Sequence, residues 1–115
     1  MVVINSTKFG SITVNGKTYY DDVIVTWDDE VKEIHLNIRH LFGLPEFNQI
    51  ASKKPDVLII GTGDSGLLRV SEDIKRLCKE RGIELTEMTS KGAIEKFNEI
   101  FNQGKKVVAF IHVTC

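Results

Sequence analysis

Six consecutive residues near the middle of the chain have the types and spacing of a phosphate-binding loop. They match the pattern G-x-G-x-x-G and are Gly61, Thr62, Gly63, Asp64, Ser65 and Gly66. In a dinucleotide site the next helix begins at these glycines, so that its free N–H groups meet the pyrophosphate. Here the better helix start is Ser71, several residues later. The pattern therefore does not favour a dinucleotide.

The same loop allows two other interpretations. Glycines that follow a strand usually serve a wide turn, which needs positive φ at two or three positions. Consecutive turn N–H groups also form a concave site for a carboxylate or phosphate oxygen, to which the Thr62 and Ser65 hydroxyls would add donors. Asp64 would repel such an anion if it pointed inward. The loop is thus a candidate anion site, with a structural turn as the alternative.

His112 and Cys115, three residues apart, have the types of a general base and a nucleophile. In a strand, residues at this spacing point to opposite faces, and the sequence shows no third group to orient the histidine. A histidine at the edge of the core is the alternative to a catalytic pair. The three histidines and two cysteines show no metal-ligand spacing, so we predict no metal, and we expect no cofactor.

A predicted βαβαβ unit positions these residues. Val57–Ile60 is a continuous apolar run, typical of a strand in the middle of a sheet with both faces covered. The elements that follow are a helix at Glu72–Arg81, a strand at Ile83–Met88, a helix capped by Thr89-Ser90 and ended by Gly104, and a strand at Val107–Val113. Right-handed crossovers make the three strands parallel. Their carboxyl ends then bring the glycine loop to His112, Thr114 and Cys115, where open α/β folds bind ligands.

The end of the chain is an alternative occupant of that edge. Buried N–H groups are costly to leave unpaired. The Thr114 hydroxyl or the terminal carboxylate is the nearest acceptor for the N–H groups of the glycine turn. The edge is therefore either a ligand site or a crevice filled by the last residues.

The first third of the chain is predicted to be antiparallel β. Short β-rich runs lie at Val2–Ile4 and Phe9–Val14. Asn15-Gly16 is a strong signal for a tight hairpin turn, because both residues tolerate positive φ, and Lys17–Tyr20 is the return strand.

The segment between the hairpin and the glycine loop is harder to assign. Val23–Trp27 predicts a further strand, and the alternation over Ile34–Arg39 predicts another with one wet face. A helical face through Val31, Ile34, Ile38 and Leu41 is the alternative for the second of these. Pro45 suits the first position of a short helix that ends near Ser52.

Length and composition predict a single domain over residues 1–115, with an antiparallel β part at 1–40 and an α/β part at 45–115. The 15 basic and 16 acidic residues are scattered, so no positive field exists to hold nucleic acid or an anionic membrane. Only two cysteines are present, without a secretory start, which predicts a cytoplasmic location and no disulfide. The fold class is α/β: a layered domain with a central mixed sheet, a C-terminal βαβαβ with parallel strands and an N-terminal antiparallel β layer.

The chain resembles a family of small uncharacterised α/β domains that includes the mitochondrial complex I assembly factor 3 and an adipogenesis-associated mammalian protein. The residues that carry the resemblance are Phe9-Gly10, Trp27, His40, Val57 to Gly63, Gly82-Ile83-Glu84, Thr89, Ala93, Asn98 and the closing His112-Val113-Thr114-Cys115. The resemblance implies a mixed sheet with an extra β layer, and it brings no established catalytic residues. Phe97 stands where relatives usually have tyrosine.

These observations predict two classes of function. The first is a non-enzymatic protein-interaction or assembly module that binds a protein partner or associates with itself, as the resemblance implies by analogy. The second is small-molecule binding, of an anion or a nucleotide, or an unknown enzymatic activity. It would use the Gly61–Gly66 loop and the edge formed by His112 and Cys115.

Overall fold

A five-stranded mixed sheet forms the centre of the computed structural model, which describes residues 1–115. The ten strands of the chain are β1 (Ile4–Lys8), β2 (Ser11–Val14), β3 (Lys17–Tyr19), β4 (Val23–Thr26), β5 (Val31–Glu33), β6 (Leu41–Phe42), β7 (Val57–Gly61), β8 (Arg69–Val70), β9 (Glu84–Met88) and β10 (Val107–Ile111). The order in the central sheet is β5-β4-β10-β7-β9. Strands β10, β7 and β9 are parallel, and β4 pairs antiparallel with β10. The predicted fold class is confirmed, including the parallel βαβαβ unit.

Three helices cover the two faces of this sheet: α1 (Leu44–Asn48), α2 (Glu72–Glu80) and α3 (Ser90–Asn102). Because side chains alternate along a strand, Val57 and Ile59 of β7 pack in one apolar cluster with α3 and the N-terminal strands. Leu58 and Ile60 pack in a second cluster with α1 and α2. Every residue of β7 is buried, as its continuous apolar run predicted. No helix of the chain has both the length and the apolar character needed to cross a bilayer.

The N-terminal layer is the antiparallel sheet β1-β2-β3. Asn15 and Gly16 have φ of 51° and 80° and form the predicted tight turn. The predicted strand at Phe9–Val14 begins only at Ser11, because the chain turns at Gly10, whose φ is 90°. The side chain of Asn98 holds this layer on α3: its Oδ1 accepts from Ile4 N–H at 3.0 Å and its Nδ2 donates to Ile4 O at 2.9 Å.

The predicted strand over Ile34–Arg39 is wrong, and so is the alternative helix. The edge strand is Val31–Glu33, and the chain beyond it forms a loop. The buried carboxylate of Glu46 holds this loop, because it accepts the N–H of Asn37 and the N–H of Gly43, both at 2.8 Å. The apolar alternation is present in the sequence, but beyond Ile34, whose N–H still bonds to Asp22 O, no neighbouring strand pairs with this segment.

Element ends differ slightly from the predicted ones. The predicted helix from Pro45 to Ser52 is divided into α1 and a 3₁₀ turn at Ala51–Lys53. Helix α2 ends one residue early, and the last strand ends at Ile111 instead of Val113. The hydroxyl of Ser71 bonds to the carboxylate of Asp73 and caps no helix N–H. The short parallel pair β6–β8 was not predicted.

Candidate functional site

The carboxyl ends of the three parallel strands meet as predicted, and Ser90 joins them. Its hydroxyl accepts from Gly63 N–H at 3.0 Å and donates to His112 O at 2.6 Å. The N–H of Ser90 also donates to Gly63 O at 3.1 Å, and His112 N–H donates to Gly61 O at 3.0 Å. Ser90 is buried, so these bonds are shielded from water. The sequence suggested Ser90 only as a helix cap, and its role at this junction was missed.

The last two residues of the chain occupy the crevice beside the glycine loop. Thr114 O accepts from Asp64 N–H at 2.8 Å, and Cys115 O accepts from Ser65 N–H at 3.3 Å and from Leu67 N–H at 3.0 Å. Of the two expected acceptors, the main-chain oxygen of the last residue, Cys115, accepts, and the Thr114 hydroxyl does not; the main-chain oxygen of Thr114 accepts in its place. The loop N–H groups that an anion would need are therefore already bonded.

Gly63 shows how close this contact is. Its φ is +105°, and a Cβ at this position would lie 2.3 Å from the carbonyl carbon of Cys115. No real Cβ approaches a carbonyl carbon so closely. The glycine is required here both for its backbone conformation and for the space it leaves.

On the other side of the same terminal segment, His112 is held by an aspartate that sequence reasoning did not identify. Asp22 Oδ2 lies 2.9 Å from His112 Nδ1, and Asp22 Oδ1 accepts Val113 N–H at 2.9 Å. Thr114 Oγ1 lies 3.2 Å from His112 Nε2. The exposed fraction of the side chain is 6% for His112 and 12% for Asp22.

This arrangement assigns the proton positions. Asp22 Oδ1 accepts Val113 N–H, and because an ionised carboxylate can only accept, the contact of Oδ2 with His112 Nδ1 assigns the proton to Nδ1. The Nε2 of a neutral His112 is then the acceptor, and the Thr114 hydroxyl donates to it. The result is a chain of hydrogen bonds from a hydroxyl through an imidazole to a carboxylate.

The register between β4 and β10 explains why Asp22 lies there. Val23 pairs with Ile111 in antiparallel strands, so the residue before Val23 lies beside the residue after Ile111. Asp22 and His112 are 90 positions apart in sequence. The predicted strand at Val23–Trp27 was the available signal, but its antiparallel pairing with the last strand was not known.

These residues line an open cleft of about 530 Å³, which we call the His112 cleft. Its lining comprises Phe9, Tyr20, Asp21, Asp22, Ile34, His35, Leu36, Arg39, His40, His112, Val113, Thr114 and Cys115. The candidate residues from the sequence are thus divided: His112, Thr114 and Cys115 line the cleft, and the six residues of the glycine loop do not. No group of three or more histidine, cysteine or acidic side chains is arranged to hold a metal.

A second histidine lies against the first. The ring of His40 meets that of His112 edge-on, with centroids 5.4 Å apart. Arg39 Nε donates to His40 Nε2 at 3.2 Å, and His40 Nδ1 is buried without a partner. His40 has a φ of 58°, which is uncommon for a residue with a side chain. The loop that Glu46 holds therefore presents a cationic side chain and an imidazole to the cleft.

The two cysteines are unbonded and differ in environment. Cys78 lies in the buried stripe of α2 with 1% of its surface exposed, and burial raises the pKa of its thiol. Cys115 is half-buried at the cleft, and no hydrogen bond joins its sulfur to His112. His112 and Cys115, which the sequence offered as a base and a nucleophile but expected on opposite faces, do not bond to each other, and His112 bonds to Thr114.

Comparisons with known proteins agree with the fold. The sequence profile of a family described as "Protein of unknown function (DUF498/DUF598)" matches residues 4–112. A solved structure named "MT938" is 27% identical, with a TM-score of 0.84 and 100% of both chains covered. The crystal structure of the conserved hypothetical protein PH1505 from Pyrococcus horikoshii OT3 is 26% identical, with a TM-score of 0.88, and the match covers 97% of this chain and 98% of that one.

A more distant structure shows the same fold. It is the solution NMR structure of a Bordetella pertussis protein described as a Mth938-like domain, which is 16% identical, with a TM-score of 0.75. The match covers 96% of this chain and 85% of that one. At this identity the similarity bears on the fold alone.

Proposed function

The chain belongs to the DUF498/DUF598 family of proteins of unknown function, and we propose that it binds a small anionic molecule in the His112 cleft. The observation that carries the proposal is the state of His112. Its side chain is nearly buried and fixed by Asp22, and yet it lines an open cavity. Residues that are held in one orientation at the wall of a cleft are typical of binding and catalytic sites.

The cleft supports anion binding better than the glycine loop does. Three loop N–H groups are bonded to Thr114 and Cys115 oxygens, so an anion there would have to displace the end of the chain. In the cleft, the guanidinium of Arg39 uses one N–H for His40 and forms no ion pair. Its remaining donors match a carboxylate or a phosphate. The lining has two acidic side chains: Asp22 is bonded to His112, and Asp21 lies 4.0 Å from His35 Nδ1.

Thermal unfolding tests this proposal with inorganic phosphate, acetate and adenosine monophosphate as probes. The variant is Arg39→Gln, and the matched control is Arg76→Gln on the exposed face of α2. A probe that binds the native state raises the unfolding temperature. We expect at least one probe to do so in the wild type and the control, and to do so less in Arg39→Gln. An absence of any shift, or equal shifts in all three proteins, would contradict binding at Arg39.

Protein interaction at the rim of the same cleft is the second candidate function. Phe9 and Tyr20 line the cleft and are 63% and 73% exposed. Exposed aromatic rings are enriched at protein interfaces. An assembly role, which the family resemblance implies, would be carried out through this surface. We also propose that the protein is cytoplasmic. We expect light scattering to show a dimer of the wild type at high concentration and a monomer of Phe9→Ser. A wild type that stays monomeric throughout would exclude self-association.

A further inference from the structure

We propose that the His112 cleft is an acyl-transfer site, in which Thr114 is the nucleophile, His112 is the general base and Asp22 positions His112. The substrate class is an ester or thioester of a small acyl group. The inference rests on the proposed function, since the substrate must bind in the same cleft, where Arg39 pairs with an anionic group of the leaving molecule.

The geometry selects Thr114 over Cys115 as the nucleophile. Residues 112 and 114 are two positions apart in an extended segment, so their side chains lie on the same side of the chain. Thr114 Oγ1 is 3.2 Å from His112 Nε2, within the range for a nucleophile and its base. The base in turn is oriented by Asp22 at 2.9 Å. Nucleophile, base and orienting carboxylate are the three roles of a catalytic triad.

Two main-chain N–H groups next to the Thr114 hydroxyl, those of Thr114 and Cys115, have no acceptor within the protein. The N–H of the preceding residue, Val113, is in contrast bonded to Asp22. In acyl-transfer sites the oxyanion is bound by the N–H of the nucleophilic residue or of the residue that follows it. One of the two, the N–H of Thr114 or that of Cys115, would be the donor to the oxyanion.

The reaction has two balanced halves. His112 Nε2 takes the proton of the Thr114 hydroxyl while Oγ1 bonds to the acyl carbon. The bond from that carbon to the leaving oxygen or sulfur then breaks, and the leaving atom receives the proton from Nε2. In the second half His112 takes a proton from water, the water oxygen bonds to the acyl carbon, and the bond to Thr114 Oγ1 breaks as the proton returns to it. An ester and water give an acid and an alcohol, and a thioester and water give an acid and a thiol, with no oxidant or reductant.

The direct test is acetylation by p-nitrophenyl acetate, followed by release of p-nitrophenolate and by peptide mass spectrometry. We expect one acetyl group on Thr114 of the wild type. Thr114→Val, which keeps the shape and removes the hydroxyl, should release p-nitrophenolate about 100-fold more slowly. Thr114→Ser should retain the adduct, and it guards against a folding defect in the valine variant. Thr18→Val, which removes a threonine hydroxyl on β3, is the matched control and should behave as the wild type.

The role of Asp22 needs a measurement that a purely structural role would not change. Asp22→Asn keeps an oxygen for Val113 N–H but loses the carboxylate that orients the imidazole. We expect the acylation rate constant to fall by about 100-fold or more, while the ester concentration for half-saturation stays within about twofold. A fall in both affinity and melting temperature, with no separate loss of rate, would show that Asp22 only supports the fold.

Other outcomes would overturn the acyl-transfer proposal. They are acetyl groups only on Cys115 or on lysines, or equal rates of p-nitrophenolate release in the wild type and Thr114→Val. The binding function is judged separately by the Arg39 comparison. If phosphate still stabilises the protein through Arg39 while Thr114→Val releases p-nitrophenolate as fast as the wild type, acyl transfer is wrong and binding stands. If neither effect is seen, both proposals are wrong.

Discussion

The last residues of the chain have two sides that serve different purposes. Towards the glycine loop, the main-chain oxygens of Thr114 and Cys115 accept three N–H groups, and no space remains. Towards the His112 cleft, the side chains of His112 and Thr114 face an open cavity. The difference shows that a glycine-rich motif after a strand can hold the backbone of a neighbouring site without itself binding a ligand. The hydrogen bonds to the glycine loop hold the backbone of the terminal segment, and this backbone places the side chains of His112 and Thr114 in the His112 cleft.

The largest effect on stability is expected from Gly63→Ala. Gly63 and Gly104 both have positive φ, but only at Gly63 would a Cβ collide with the main chain. Gly104→Ala carries the conformational cost alone and should lower the free energy of unfolding by about 1 kcal/mol. Gly63→Ala adds overpacking and should lower it by about 3 kcal/mol or more. Urea unfolding measures both free energies. Equal losses in the two variants would contradict the close packing of Gly63 against the end of the chain.

Ser90→Ala should have the next largest effect. The change leaves the buried N–H of Gly63 and the carbonyl oxygen of His112 without their partner, which typically costs about 2 kcal/mol. Ser6→Ala on the exposed face of β1 is the control and should stay within about 0.5 kcal/mol of the wild type. A loss no larger than that of the control would mean that Ser90 does not join the strand ends.

Thr114→Val should cost little stability, because its hydroxyl lies on the open side and water can replace it. We expect a loss of about 0.5 kcal/mol, similar to that of Thr18→Val, whose hydroxyl bonds to Thr13 on an exposed surface. Urea unfolding of the two variants checks this. A loss near that of Ser90→Ala would show that the Thr114 hydroxyl is structural, and it would weaken the distinction between the two sides.

The smallest effect on stability is expected from alkylation of Cys115. Its half-buried thiol should react with iodoacetamide in the native protein and change the free energy of unfolding by less than about 0.5 kcal/mol. Cys78 should react only after unfolding, because it is buried and its thiol pKa is raised. Mass spectrometry of digested protein identifies the modified residue. Equal labelling of both thiols in the native state would contradict this.

The sequence predicted correctly those elements whose conformation is set by a few neighbouring residues. The apolar run at Val57–Ile60 predicted a buried strand, and Asn15-Gly16 predicted a hairpin turn, because the backbone preferences of a few neighbouring residues decide both. The alternation over Ile34–Arg39 failed, since the fold there depends on Glu46, a residue further along the chain.

The site was predicted in part for the same reason. The meeting of the glycine loop with His112 follows from parallel strands, and the sequence predicted it. The position of Asp22 beside His112 depends on the antiparallel pairing of β4 with β10, which no local sequence pattern predicts. The hydrogen bond of Ser90 to two strand ends likewise requires the packed sheet. Local sequence patterns do not show which residues far apart in the chain come into contact, and these contacts build the site.

The most direct test of the account is the position of the proton on the ring of His112. Heteronuclear NMR of histidine side chains distinguishes the two neutral tautomers. The hydrogen bond to Asp22 predicts the proton on Nδ1, with Nε2 free to accept from Thr114. A neutral His112 with its proton on Nε2 would make Thr114 an acceptor only, and it would contradict the assignment of His112 as a base.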